Sequence, residues 1–430
     1  STSTTTAPTT TTTTTSPTTT TSTTTTPATG QVFYVSPNGS DSSAGTQASP
    51  WRTIKAAAQK LVAGQTAILT DGVYEEGSIQ FANSGTADKP ITIKAQNKWG
   101  AILSSTSGRD PAISIYKSYI TIEDLRISVS SKNVYTGPYL AVNSAITAWE
   151  QSLPHPSNPS TGTRGFTARG VLIDADTSRD TGIKTRQDFS VIENCVVYNE
   201  IEAFNNNGTI IRNNTVYNGG PNGTYILGKG GVRNMQIYGN VVHMTAAQRG
   251  VGIILGGSTG LQWIYDPSTA IEAYNSVAYN NVVINKSGDP YNAAFQMRGA
   301  SNSMFANNVG IKAGIAMWNG GSGTLLSKNV NPRFLNNALV GDGTQTVTTS
   351  RNGWAGYWTG TLTLDYNNFY KFTSVPSQAH PIVGDPKFNN VSSDWHLQAG
   401  STALGSGAQL SFMGFNGQSI DLSRNKDGVT

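Results

Sequence analysis

From Ile120 to Tyr370 one short phrase keeps returning: apolar, variable, apolar, two variable positions, Asn, one more residue, apolar. It reads ITIEDLRIS with Asp124 at the Asn place, then SVIENCVVYN with Asn194, TIIRNNTVYN with Asn214 and MQIYGNVVHM with Asn240. It continues as SVAYNNVVIN with Asn281, SMFANNVGI with Asn308, PRFLNNALVG with Asn337 and LTLDYNNFY with Asn368. Short alternating runs of β-branched residues predict half-buried strands. Asn is a poor strand former that tolerates left-handed backbone, and at matching places in stacked coils its amides bond up and down the stack. One coil cannot bury its apolar face alone, whereas stacked coils share a continuous core. The pattern therefore predicts an all-β solenoid, a parallel β-helix.

A second strand precedes several of these phrases, in the series GTYILGKGG, GVGIILGG, NAAFQMRGA and AGIAMWNGG. Stacked in order, these place Lys229 and Arg298 in neighbouring columns of one sheet, two coils and roughly 10 Å apart at the usual strand spacing. Two stretches interrupt the rhythm. Residues 132–187 are rich in Gly, Pro and Ser and carry Tyr135, Tyr139, Trp149, Arg164 and Arg169; residues 258–273 carry Trp263 and Tyr265. Insertions in solenoids emerge as loops on one face, often the binding face.

The N-terminal part reads differently. Residues 1–30 are almost entirely Thr, with Ser, Pro and Ala, and predict a disordered linker. Residues 31–430 predict the β-helix domain. Within it, FYVSPNGSDSSAG gives a strand and a polar turn, and Ser49-Pro50 supplies an N-cap and first-turn proline. TIKAAAQKLVAG then predicts a short amphipathic helix ended by Gly64, laid across the first coil to blunt its open edge. QTAILTDGVYEE and KPITIKAQ follow as strands.

Composition narrows the picture. Charged residues make up only 13%, below the usual quarter, and Gly is abundant at 46. The net charge of +4 favours an anionic partner. One cysteine, Cys195, excludes an intramolecular disulfide, and its apolar run VIENCVVY places it in the core. No apolar run reaches the length of a membrane span, and no signal peptide is visible. The expected partner is an acidic polysaccharide, with neither nucleic acid nor membrane involved and a monomeric, secreted protein.

The segment FYVSPNGSDSSAGTQASPWRTIKAAAQKLVAGQTAILTDGVYEE resembles the entry segment of secreted right-handed parallel β-helix polysaccharide lyases, of the alginate and pectate lyase type. The Asn-bearing coils extend the resemblance over most of residues 31–384. It implies a right-handed helix, β-elimination chemistry and an extracellular setting. GKGGVRNMQIYGNVVH resembles coils in which a lysine faces the groove, so the resemblance implies that Lys229 is the base. Calcium is the cofactor it brings into question; the acidic cluster that binds the ion in several pectate lyases is not evident in the sequence.

β-Elimination from a uronate needs three things: neutralisation of the carboxylate, removal of the C5 proton and help for the departing O4. Lys229 lies between glycines, and neighbouring arginines are expected to lower its pKa toward the useful range. Arg298 and Arg249 are candidate carboxylate clamps, Tyr225 and His243 candidate proton donors. Arg233, Arg212, Trp263 and Tyr265 are candidate substrate contacts. Glu200 and Glu202 alternate on one strand face, one coil before Lys229, and are the candidate metal ligands. Phe204 to Gly257 contains no acid at all, which disfavours the paired carboxylates of a glycoside hydrolase. A C5-epimerase shares the lyase chemistry, and a non-catalytic glycan-binding module shares the scaffold.

Overall fold

The computed structural model describes residues 30–105, 111–129, 144–149, 162–175, 181–219, 223–245, 249–322, 325–347, 356–413 and 419–422. Except for Gly30, the predicted linker lies outside these residues, as do Tyr135, Tyr139 and Asp176. Three long parallel sheets of 12, 11 and 9 strands run the length of the molecule, with a fourth, 5-stranded parallel sheet along its later coils. Each strand pairs with its counterpart in the coil before and the coil after, the topology of a parallel β-helix. The strands are short because every coil must turn after a few residues. Inward side chains such as Ile122, Ala168, Ile192, Ile211, Ile237 and Phe305 are fully buried and stack into one core.

The corners show why Asn recurs. Six buried amides form a continuous ladder, Asn214–Asn240–Asn281–Asn308–Asn337–Asn367. From Asn240 onward each Oδ1 accepts from both the backbone N–H and the Nδ2 of the ladder residue one coil earlier, as Asn281 does for Asn240 at 3.1 and 2.9 Å. The residue before each ladder Asn carries the left-handed backbone: Asn213, Gly239, Asn280, Asn307, Asn336 and Tyr366. This corrects the expected register at three coils. Asp124 and Asn194 fill the left-handed place, so Cys195 occupies the ladder place and receives the Asn214 Oδ1 on its N–H at 2.9 Å. At the last coil the ladder amide is Asn367, not Asn368.

The capping helix spans Ile54–Lys60, and its N-cap is Thr53 rather than Ser49. Thr53 Oγ1 accepts from Ala56 N–H at 3.0 Å, while the Glu76 carboxylate accepts from Ile54 and Lys55 N–H. Trp51 is instead bridged to Val35 as extended chain, which moves the helix start past Pro50. Ile54, Ala57, Ala58 and Leu61 bury the apolar face of this segment in the first coil.

Residues 132–187 are less of an interruption than expected. They supply the strands Ser144–Ala148, Thr167–Arg169, Leu172–Ala175 and Thr181–Thr185, all in register with their neighbours. After Tyr370 the chain leaves the parallel stack and forms two antiparallel hairpins, Phe388–Asn390 with Asp394–Leu397 and Ser411–Met413 with Ser419–Asp421. Phe388 and Trp395 cover Val282, Ile284 and Ile311 on one outer face; Phe412 and Leu422 cover Val277, Met304 and Leu335 on another. Those apolar outward positions are thereby kept from water.

Candidate active site

The second-strand series forms one end of the nine-stranded sheet, as Thr224–Lys229, Val251–Gly256, Ala293–Arg298 and Gly314–Trp318 in adjacent order. Register then brings seven outward positions into a single column: Trp149, Arg186, Phe204, Lys229, Gly256, Arg298 and Trp318. Lys229 and Arg298 thus share one column, rather than lying in neighbouring ones, with only Gly256 between them. Gly256 has φ +107°, and a Cβ there would collide with the Arg298 carbonyl. The gap between the two cations is therefore kept free of a side chain. Gly257 provides room for the Lys229 stem, since a Cβ at that place would lie 2.6 Å from the lysine Cβ. Arg186 is buried at 4% exposure, whereas Trp318 at the end of the sheet is 41% exposed.

A buried polar cluster lies beside this column. Lys184 stands opposite Glu202 in the sheet, and its Nζ lies 3.0 Å from Glu202 Oε1. Lys229 Nζ approaches the same oxygen at 3.5 Å. Glu200 and Glu202 hydrogen-bond to each other, which confirms a shared face. Burial, and then the charge of Glu202, holds the Glu200 carboxyl well above the usual carboxylate range. Burial alone would raise Glu202 too, but Lys184 and Lys229 outweigh it and hold it low. Trp149 and Phe204 stack at 5.7 Å, with the Lys184 Nζ and the Arg186 guanidinium over both rings.

The effect on Lys229 is opposite to that expected. Glu202, against burial and with help from Glu200, raises the lysine above its usual value. Its nearest charges are carboxylates brought in from the preceding strand, not the arginines near it in sequence. Burial lowers Arg298 and Arg233, and neither forms an ion pair among the described residues. Arg298 Nε donates to Asn319 O at 3.3 Å.

The loop after Gly257 is fastened by Glu272, which is fully buried. Its carboxylate accepts from the N–H groups of Gly230 at 2.7 Å, Thr259 at 2.6 Å and Gly321 at 3.1 Å, and from Thr259 Oγ1 at 2.7 Å. Turns from three different coils are thereby tied to one carboxylate. Tyr265 joins them through its N–H to Gly230 O at 2.9 Å, and its ring lies under Arg233, 3.8 Å from the guanidinium carbon. Trp263 O accepts from Asn205 Nδ2 at 3.0 Å. Arg233, Trp263 and Tyr265 are thus gathered near the Lys229 turn.

Four other predicted residues are not gathered there. Tyr225 is 1% exposed and faces the core, with its ring against Gly219. His243 belongs to the 11-stranded sheet and stacks on Tyr217 at 4.8 Å. Arg212 belongs to the 12-stranded sheet, in a run of alternating charges formed by Lys94, Glu123, Arg169, Glu193 and Arg212. Glu193 lies 2.5 Å from the Arg212 guanidinium, so this arginine is committed to the ladder. Arg249 stacks on Tyr291 beside Gly223, at the far end of the Lys229 strand and about 20 Å away by strand rise.

Sequence reasoning missed Lys184, Arg186 and Glu272. The signal for Lys184 was present: DTGIKTR precedes SVIENC as GTYILGKGG precedes VRNMQIYGN, and carrying the series back two coils finds it. No sequence signal marks Glu272, whose partners are backbone amides.

A curated pectate lyase, PEL9 of Emericella nidulans, is 44% identical over 63 residues, 14% of this chain and 15% of that protein. The chain spans at most 27% of the length of the curated relatives it matches. Among solved structures, the GH136 lacto-N-biosidase of Eubacterium ramulus superposes with a TM-score of 0.56 at 13% identity, covering 82% of this chain and 68% of that one. Pectate lyase Pel9A superposes with a TM-score of 0.52 at 14% identity, covering 92% and 96%. At these identities the superpositions establish the fold. The profile of the Pel9A-like right-handed beta helix region matches residues 33–314. With that match over more than half its length, the chain belongs to the Pel9A-like right-handed β-helix family.

Proposed function

We propose that the protein is a secreted polysaccharide lyase that cleaves an acidic, uronate-containing polymer by β-elimination at Lys229. The observation that carries this reading is the column Phe204–Lys229–Gly256–Arg298–Trp318, in which two cations flank a side-chain-free gap between aromatic residues. Aromatic faces suit sugar rings, and a pair of partly buried cations suits their carboxylates. In the proposed step Lys229 takes the C5 proton, the released electron pair forms the C4–C5 double bond, and the C4–O4 bond breaks. The departing O4 takes a proton from solvent water, and Lys229 later releases the C5 proton to solvent. Arg298 offsets charge on the carboxylate as the C5–H bond breaks. Lys229 must first lose its resting proton to solvent, and Glu202, 3.5 Å away, opposes that loss.

Hydrolysis by the Glu200–Glu202 pair fits less well. Glycosidase carboxyls stand about 5–9 Å apart around the scissile bond, whereas these two share a hydrogen bond. One observation favours a second reading, a non-catalytic glycan-binding module: Lys229 is held protonated in the free protein. Incubation with alginate, polygalacturonate and other polyuronates separates the two. The lyase reading expects the ultraviolet absorbance of an unsaturated uronate from at least one polymer; binding without that product from any of them selects the module.

A further inference from the structure

Two buried carboxyl groups a hydrogen bond apart are what a hard divalent cation usually binds, as part of a set of six to eight oxygens. Here ammonium groups lie on the pair instead. Lys184 and Lys229 approach the same Glu202 oxygen, at 3.0 and 3.5 Å. Lys184 is no mobile surface lysine. It arises from the strand adjacent to Glu202, its side chain is 13% exposed, and its Nζ lies 5.6 Å from the ring centres of both Trp149 and Phe204. The two stacked rings and the strand register hold the charge in place. Among the described residues, no group of three or more His, Cys, Asp or Glu side chains gathers to hold a metal ion. A calcium ion entering this place would meet two fixed positive charges at contact distance.

We infer that the Lys184 ammonium takes the place of a divalent cation at the Glu200–Glu202 pair, so that the site carries its positive charge on the chain itself and needs no calcium. The carboxylates serve to hold Lys184 and Lys229 together at the column. This inference concerns the same site as the lyase reading, but it is read from ion binding and requires no turnover.

The experiment compares thermal unfolding of the full chain in millimolar calcium and in chelator, for the wild type, Lys184→Arg and Lys184→Met. The wild type and Lys184→Arg are expected to melt at the same temperature in both solutions. Lys184→Met removes the fixed charge, and calcium is expected to raise its melting temperature in a saturable way. A saturable calcium-dependent rise in the wild type overturns the inference, and so does a folded Lys184→Met that ignores calcium. Where Lys184→Met fails to fold, the wild type and Lys184→Arg decide the matter by the same criterion. Failure of every polyuronate to be cleaved would remove the lyase reading and leave these melting temperatures unaffected.

Discussion

Glu202 Oε1 lies 3.5 Å from Lys229 Nζ, and this contact raises the lysine above its ordinary pKa. A base must first lose its proton, so the contact sets the pH at which Lys229 is ready to act. The catalytic form is the neutral amine, and raising the pKa moves its appearance to higher pH. kcat/KM on a polyuronate is therefore expected to climb with pH into the alkaline range. Glu202→Gln removes the leading cause of the shift while burial remains, so the climb should move to lower pH. A pH–rate profile of the two proteins checks this; coincident profiles would show that Glu202 does not control the lysine.

The asparagine ladder makes a prediction about stability. Asn281 accepts from Asn240 N–H and Nδ2, and its own Nδ2 donates to Ile237 O and Asn308 Oδ1, both at 2.9 Å. Asn281→Ala leaves several buried polar groups without partners, each costing about 1–3 kcal/mol. A loss of roughly 2–4 kcal/mol is expected in denaturant unfolding. A change within experimental error would mean that strand pairing alone carries the corner.

His243 gives a pH-dependent prediction away from the candidate site. Burial, and then the charge of Lys286, pushes its pKa down to about 4 from 6.5. The folded state thus prefers the neutral ring, and the unfolded chain binds the extra proton as pH falls below 6.5. Its contribution is full above pH 6.5 and is lost progressively between there and about 4. His243→Phe can keep the stack on Tyr217 without the titration. Melting temperature is expected to fall less steeply over that window in the variant than in the wild type; equal slopes would assign the acid sensitivity elsewhere.

The solenoid was legible because its signal is periodic. Each coil repeats the same inward positions, so Asn214, Asn240, Asn281, Asn308 and Asn337 could be aligned before any coordinate was known. What blurred the register was chemistry shared by adjacent positions. Asp and Asn both accept left-handed backbone, so Asp124 and Asn194 resembled ladder residues while the ladder place beside Asn194 held Cys195. The cysteine fits there as a small core residue: it is 1% exposed, its Sγ contacts Glu193 O at 3.3 Å, and burial pushes its thiol up to about 12.

The candidate site was legible in part. The second-strand series put Lys229 and Arg298 on one sheet, but proximity in sequence misled the electrostatics. Arg233 lies four residues beyond Lys229 in the chain, yet the charge that governs the lysine is Glu202, brought in by pairing with the preceding strand. The absence of acids from Phe204 to Gly257 was likewise a property of the segment and not of the site, because Glu200, Glu202 and Glu272 reach it from outside. In a solenoid the neighbours of a residue lie a coil away, and insertions of varying length hide that distance.

Lys229 is proposed to abstract the C5 proton of a polyuronate. The most direct test is Lys229→Ala, assayed for unsaturated-uronate absorbance on a polymer that the wild type cleaves, with the β-sheet circular dichroism and melting curve recorded in parallel. Turnover is expected to fall by several orders of magnitude in a protein that still folds, consistent with removal of a group acting in the transition state. Substantial product formation by folded Lys229→Ala would contradict this role.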